Sequence, residues 1–179
     1  MTSIIKVDTI QDSSGGSAIN MGAGSVVQIQ TTYLHLNTST NLSVSSTTAV
    51  QIGDGTSYTN LEVSITPKFS NSKILVTCYS NMIWIPNNVS MDWELYRDST
   101  ALVIRSGDVA VPNYYGWVYN FQNGGGNFYG SSLGQHIDTP NTTSAVTYKP
   151  YHRLDSGTGT AYSCHNGGHM IMTATEIKV

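Results

Sequence analysis

Between Leu61 and Arg97 the chain alternates apolar and polar residues in a way that fixes its local geometry. Leu61, Val63 and Ile65 fall on one side and Glu62, Ser64 and Thr66 on the other, and after Pro67-Lys68-Phe69-Ser70-Asn71 a second strand is predicted from Ser72 to Tyr79. Met91, Trp93 and Leu95 then alternate with Asp92, Glu94 and Tyr96. Period-two patterning broken by turn residues specifies antiparallel sheet with one face packed and the other wet. Trp93 is expected to anchor the core and the alternating acids to face outward.

The rest of the chain repeats this grammar. Strands are predicted near Val26 to Leu36, Ala49 to Ile52, Tyr58 to Thr66, Lys73 to Ser80, Met91 to Arg97, Ala101 to Arg105, Gly116 to Phe121, Asn127 to Tyr129, Ser144 to Tyr151, Gly159 to Cys164 and Met170 to Lys178. Turn signals separate them, including Gly53-Asp54-Gly55, Pro86-Asn87-Asn88, Asp98-Ser99, Asn123-Gly124-Gly125-Gly126 and Asp155-Ser156-Gly157. No stretch places apolar residues at i, i+3, i+4 and i+7 over three turns, so no long helix is expected. Many short antiparallel strands must bury a face, which predicts a two-sheet sandwich or a closed barrel. In the last strand Ile171 and Ile177 share one side while Met170, Met172 and Ala174 take the other. Apolar groups on both sides mark a central strand, or one whose second face meets another subunit.

Composition narrows the function. Charged residues make up 11% of the 179 residues, against about 25% in ordinary soluble domains. The polar positions are taken instead by 22 Ser, 21 Thr and 14 Asn, side chains that suit strand faces and turns rather than exposed helices. The net charge of -3 comes without a cluster of Lys or Arg, so the electrostatic basis of nucleic-acid binding is missing and no nucleic-acid partner is expected. No segment approaches the roughly 18 apolar residues of a membrane span, and Met1 to Asp8 lacks the apolar centre of a signal peptide. The expectation is a soluble protein with no membrane partner. Cys78 sits in the apolar phase of a predicted strand with Ile74 and Val76, whereas Cys164 lies in a loop-like run; free thiols and a Cys78 to Cys164 disulfide both stay open.

Residues 1 to 24 differ in character from the remainder of the chain. Ile4, Ile5, Val7 and Ile10, with Ile19 beyond a Ser/Gly run, are too few to form a core and too apolar to float free. An extended arm that docks on a partner chain or larger assembly satisfies both conditions, and an edge strand folding back on its own domain is the alternative. The expected division is an arm over 1 to 24 and a β-domain over 25 to 179.

Signals for chemistry are weak. Gly130-Ser131-Ser132-Leu133-Gly134 fits the G-x-S-x-G pattern, but that motif works between a strand and a helix, and Gln135 to Pro140 offers no helix; a Gly-bounded loop is expected and no catalytic residue is assigned. His165 and His169, four apart, flank a Gly-Gly pair that disfavours a metal-binding helix, so no metal and no cofactor are expected. The aromatic run Tyr114, Tyr115, Trp117, Tyr119 and Phe121, followed by Phe128 and Tyr129, admits two readings. It supplies core or subunit interface, or Tyr114, Tyr115, Trp117 and Tyr129 stack on a sugar ring whose hydroxyls meet neighbouring Asn and Asp groups.

Several segments taken together resemble short virion proteins of tailed bacteriophages, especially marine and cyanobacterial ones. They are Ile5-Lys6-Val7-Asp8-Thr9-Ile10-Gln11 with Gly15-Gly16-Ser17-Ala18-Ile19, Gly24-Ser25-Val26-Val27-Gln28, Leu61-Glu62-Val63-Ser64-Ile65-Thr66-Pro67, Ser72-Lys73-Ile74-Leu75-Val76, Leu95-Tyr96-Arg97-Asp98-Ser99-Thr100, Asp138-Thr139-Pro140, Ala145-Val146-Thr147-Tyr148-Lys149 and Thr173-Ala174-Thr175-Glu176-Ile177. The resemblance implies an all-β protein with a jelly-roll β-sandwich, a homotrimer displayed on the virion surface after assembly in the bacterial host cytoplasm. It also implies an N-terminal arm attached to the major capsid protein or another virion protein. Such modules serve as head fibres, capsid knobs, decoration proteins or tail-fibre tips, and the last of these contact host surface glycan. The absence of a repetitive shaft or heptads favours the capsid-attached forms.

Overall fold

The chain folds as an all-β sandwich of antiparallel strands, in a computed structural model that describes residues 22–37, 40–53, 60–104, 117–122 and 126–179. The arm residues Ile4, Ile5, Val7, Ile10 and Ile19 and the aromatics Tyr114 and Tyr115 lie outside the described residues. Twelve strands are described: β1 (Val26–His35), β2 (Leu42–Val44), β3 (Val50–Gln51), β4 (Val63–Ile65), β5 (Lys73–Ile85), β6 (Val89–Arg97), β7 (Thr100–Val103), β8 (Val118–Gln122), β9 (Phe128–Asp138), β10 (Val146–Ser156), β11 (Ala161–Cys164) and β12 (His169–Ile177). The first sheet runs β1, β12, β5, β9, with β11 and β2 continuing beside the far half of β5. In the second, β10 and β6 lie at the centre, β3 and β4 flank β10, and β7 and β8 flank β6.

The alternation that defines the strands also sorts the core. Ile74, Val76 and Cys78 of β5, with Met170, Met172 and Ala174 of β12, point from the first sheet toward Met91, Trp93 and Leu95 of β6 and Tyr148 and Leu154 of β10. β12 is central, paired with β1 on one side and β5 on the other; Met170, Met172 and Ala174 face the core and Ile171 and Ile177 lie half-buried on the outer face. Both cysteines are free and buried; burial pushes the Cys78 thiol far above its ordinary value and that of Cys164 up to about 11.

The outward face of the first sheet is laid out in register. Ile29 pairs with Thr175, Thr175 with Leu75 and Leu75 with Ile137, giving one row across β1, β12, β5 and β9. A row from Tyr33 through Ile171 and Tyr79 to Leu133 lies four residues along, and Thr31, Thr173, Thr77 and Gln135 form the row between them.

Three expectations require correction. The run Gly130 to Asp138 is not a Gly-bounded loop but most of β9. The strand accepts Gly134 because the Trp117 ring occupies the space a side chain would need: a Cβ there would lie 2.7 Å from the indole and 2.9 Å from Val118. β5 does not stop at Ser80 but continues past an irregularity to Ile85. Asp92 and Glu94 do face away from the core, yet they are 0% and 2% exposed rather than wet.

Two buried carboxylates close the structure. Asp138 of β9 receives Arg97 Nη1 at 2.9 and 2.7 Å on its two oxygens and the Tyr148 hydroxyl at 2.8 Å, tying the first sheet to β6 and β10 of the second. Glu176 of β12 accepts from Gln28 Nε2 at 2.7 Å, Ser72 Oγ at 2.7 Å and the backbone N–H groups of Lys68 and Phe69 at 2.8 and 3.2 Å. It thereby pins the turn between β4 and β5 to β1 and β12.

Burial alone would raise the Glu176 carboxyl, but the bonds from Gln28, Ser72, Lys68 and Phe69 outweigh it and hold the group below its ordinary 4.5. A lowered folded value stabilises the fold above about 4.5, and that stability is lost as pH falls through the folded value. Glu176→Gln is expected to lower stability at pH 7 by about 1–3 kcal/mol in urea unfolding. The gap between variant and wild type is expected to narrow below about pH 4.

Candidate functional site

Beyond the irregularity in β5, Trp84 points to the outer side of the first sheet. Tyr129 of β9 and Tyr162 of β11 are its register partners on either side, so three aromatic side chains line up across three adjacent strands. His165 follows β11 and is held by its backbone N–H, which donates to the Met82 carbonyl at 2.9 Å. Ring centroids lie 4.9 Å apart for Trp84 and Tyr162, 6.3 Å for Trp84 and Tyr129, and 5.8 Å for Trp84 and His165, the last pair stacked at 23°. Tyr129 is 56% exposed, and the other three are half-buried. Burial holds the His165 imidazole below its ordinary value, so near neutral pH it is uncharged and offers one donor and one acceptor. A neutral aromatic shelf with a polar rim can stack against a pyranose or seat another apolar surface.

The turn that carries His165 follows from its residues. Asn166 and Gly167 both take positive φ, 44° and 73°, and Gly168 N–H closes the turn on the His165 carbonyl at 3.0 Å. That is type I′ geometry, for which Asn-Gly is the favoured pair.

Of the expected glycan contacts, Tyr114 and Tyr115 lie outside the described residues, and of the two described, Trp117 and Tyr129, Tyr129 is on this shelf. Trp117 is half-buried, packs on Gly134 and the core, and donates its backbone N–H to the Trp93 carbonyl at 2.6 Å. Trp84, Tyr162 and His165 are not among the residues that sequence patterning singles out for a glycan. The signal that finds them is the alternation Ile83 and Ile85 against Met82 and Trp84, which carries β5 beyond Ser80.

The other candidates resolve into structural roles. Ser132 lies in the middle of β9, nearly buried, and donates to Asn120 Oδ1 at 2.8 Å; no strained strand-to-helix turn presents it. His169 packs near Tyr33 and Tyr79 while His165 joins the shelf, and among the described residues no three His, Cys, Asp or Glu side chains converge on a metal-sized site. On the outer side of the second sheet a cavity of about 370 Å³ is lined by Thr47, Thr48, Ala49, Glu94, Tyr96, Ile104 and Arg153. There the Glu94 carboxylate lies 3.6 Å from Arg153 and accepts from the Tyr96 hydroxyl at 3.4 Å.

No family model matches this chain, and no curated protein compared with it matches either.

A buried polar group between the sheets has a thermodynamic signature. Trp93 Nε1 donates to Ser163 Oγ at 2.8 Å, and Ser163 Oγ lies 2.8 Å from His152 Nδ1, all three side chains being buried. Burial lowers the His152 imidazole from 6.5 to about 3. Between those values the unfolded chain binds one more proton than the folded one, so acid favours unfolding from about pH 6.5 downward, at about 1.4 kcal/mol per pH unit. Urea unfolding from pH 7 to 4 is expected to show this slope in the wild type. In His152→Leu that slope is expected to shrink by about 1.4 kcal/mol per pH unit, leaving the smaller share of His136 and His165, whose imidazoles burial also holds below their ordinary value.

Proposed function

We propose that this chain is a non-catalytic structural protein of a bacteriophage virion, a capsid-attached knob, head fibre or decoration protein that works as a homotrimer. Residues 1 to 24 form the arm that docks on the major capsid protein or another virion protein, and the sandwich projects from the particle surface. The strand order supports a jelly roll: β1, β12, β5 and β9 face β4, β10, β6 and β8, and among these eight strands successive ones lie in opposite sheets except β6 and β8. The observation that carries the reading is the outer side of the first sheet. Ile29, Tyr33, Leu133 and Ile137 are each more than half exposed there, a patch that single-copy soluble proteins seldom leave in water.

A second reading, a tail-fibre tip that recognises host surface polysaccharide, is favoured by the shelf of Trp84, Tyr129, Tyr162 and His165. Tyr114 and Tyr115 belong to that reading from the sequence.

In solution the full chain is expected to have three times its 19.3 kDa mass, and immunogold labelling is expected to decorate intact particles. A monomer absent from particles defeats the first reading. The second predicts binding to host polysaccharide on a glycan array that falls at least tenfold in Trp84→Ala or Tyr129→Ala; an array with no bound glycan removes it.

A further inference from the structure

In β9 the usual alternation is inverted. Ser132, Gly134, His136 and Asp138 take the inward phase, while Leu133 and Ile137 face solvent at 55% and 56% exposure. A slip of one residue would exchange the two sets, because side chains of a strand alternate strictly between its faces. Polar anchors prevent that slip: Ser132 bonds Asn120, and Asp138 receives Arg97 and Tyr148. The apolar side chains of β9 are therefore held outside. They end the two apolar rows that begin at Ile29 and Tyr33 of β1, each 58% exposed.

We infer that copies of this chain pack against one another through this face, the outer side of β1, β12, β5 and β9, turned inward around the threefold axis. The inference rests on the trimer reading above and supplies its contact surface. Among the described residues, the rows carry no Lys, Arg, Asp or Glu between Lys73 at one end and the paired His35 and His169 at the other. A face without charges meets its copies around the axis with neither like-charge repulsion nor the cost of desolvating ions.

Size agrees. Four strands spaced about 4.8 Å apart, over about nine residues of roughly 3.3 Å each, cover on the order of 600 Å² in projection. Accessible area exceeds projection on a surface studded with side chains, which brings the area each copy can bury, divided between its two neighbours, near the roughly 800 Å² that one partner gives to a specific interface. An extended segment of the chain's own arm is the poorer occupant. Laid across a sheet face its backbone N–H and C=O groups would find no ladder, whereas a second sheet face presents side chains alone.

The test uses the full-length protein. Leu133→Glu with Ile137→Glu is expected to reduce the solution mass from three chains to one at micromolar concentration, with the far-ultraviolet circular dichroism of the wild type, while Lys149→Glu on the other sheet leaves the trimer intact. Hydroxyl-radical footprinting of the unaltered protein needs no variant: Tyr33 is expected to be oxidised at least fivefold more slowly than Tyr151 on the second sheet. A wild-type trimer whose mass survives the double substitution, with Tyr33 readily oxidised, overturns the face and leaves the trimer standing. A wild-type monomer overturns both, and a monomer with Tyr33 protected assigns the face to the chain's own arm.

Discussion

The carboxylate of Asp138 sets the phase of an entire strand. Seated between the sheets, it takes both contacts from Arg97 and one from Tyr148, and removing it from those donors would leave a guanidinium and a phenol poorly satisfied in a partly buried setting. The Tyr148 hydroxyl is correspondingly raised far above its ordinary value, by burial first and then by its bond to Asp138. With Asp138 fixed inward, Leu133 and Ile137 have no choice of side. A polar contact inside the sandwich thus decides what the molecule shows outside it.

The same logic places polar groups at other margins of the core. Glu176 gathers four donors, one from β1 and three from the turn between β4 and β5, and Ser163 links Trp93 and His152 across the two sheets. Buried polar groups with specified partners define one alignment of the sheets, whereas apolar packing alone tolerates many.

Much of this fold was legible in period-two patterning. β4, β10 and β12 follow the alternation closely, and Trp93 and Cys78 stand in the core where their phase put them. What escaped was of two physical kinds. β9 reads as a loop because glycine and serine occupy its inward phase, a pattern that makes sense only when the Trp117 ring and the Arg97 side chain are brought to it from distant parts of the chain. β2 is too short and its surroundings too rich in Ser and Thr to stand out, and the far half of β5 hides behind an irregularity. The aromatic shelf was missed for that last reason, since Trp84 belongs to the hidden half and Tyr162 and Tyr129 reach it only through pairing.

Cys78 and Cys164 lie deep in the first sheet as unlinked thiols, each held in the protonated form by its surroundings. Thiolate is the species that oxidants and disulfides attack, so protonation and burial together make both sulfurs inert. Closure of this sandwich therefore asks nothing of an oxidase, and the finished protein contains no cross-link between these two residues for a reductant to undo.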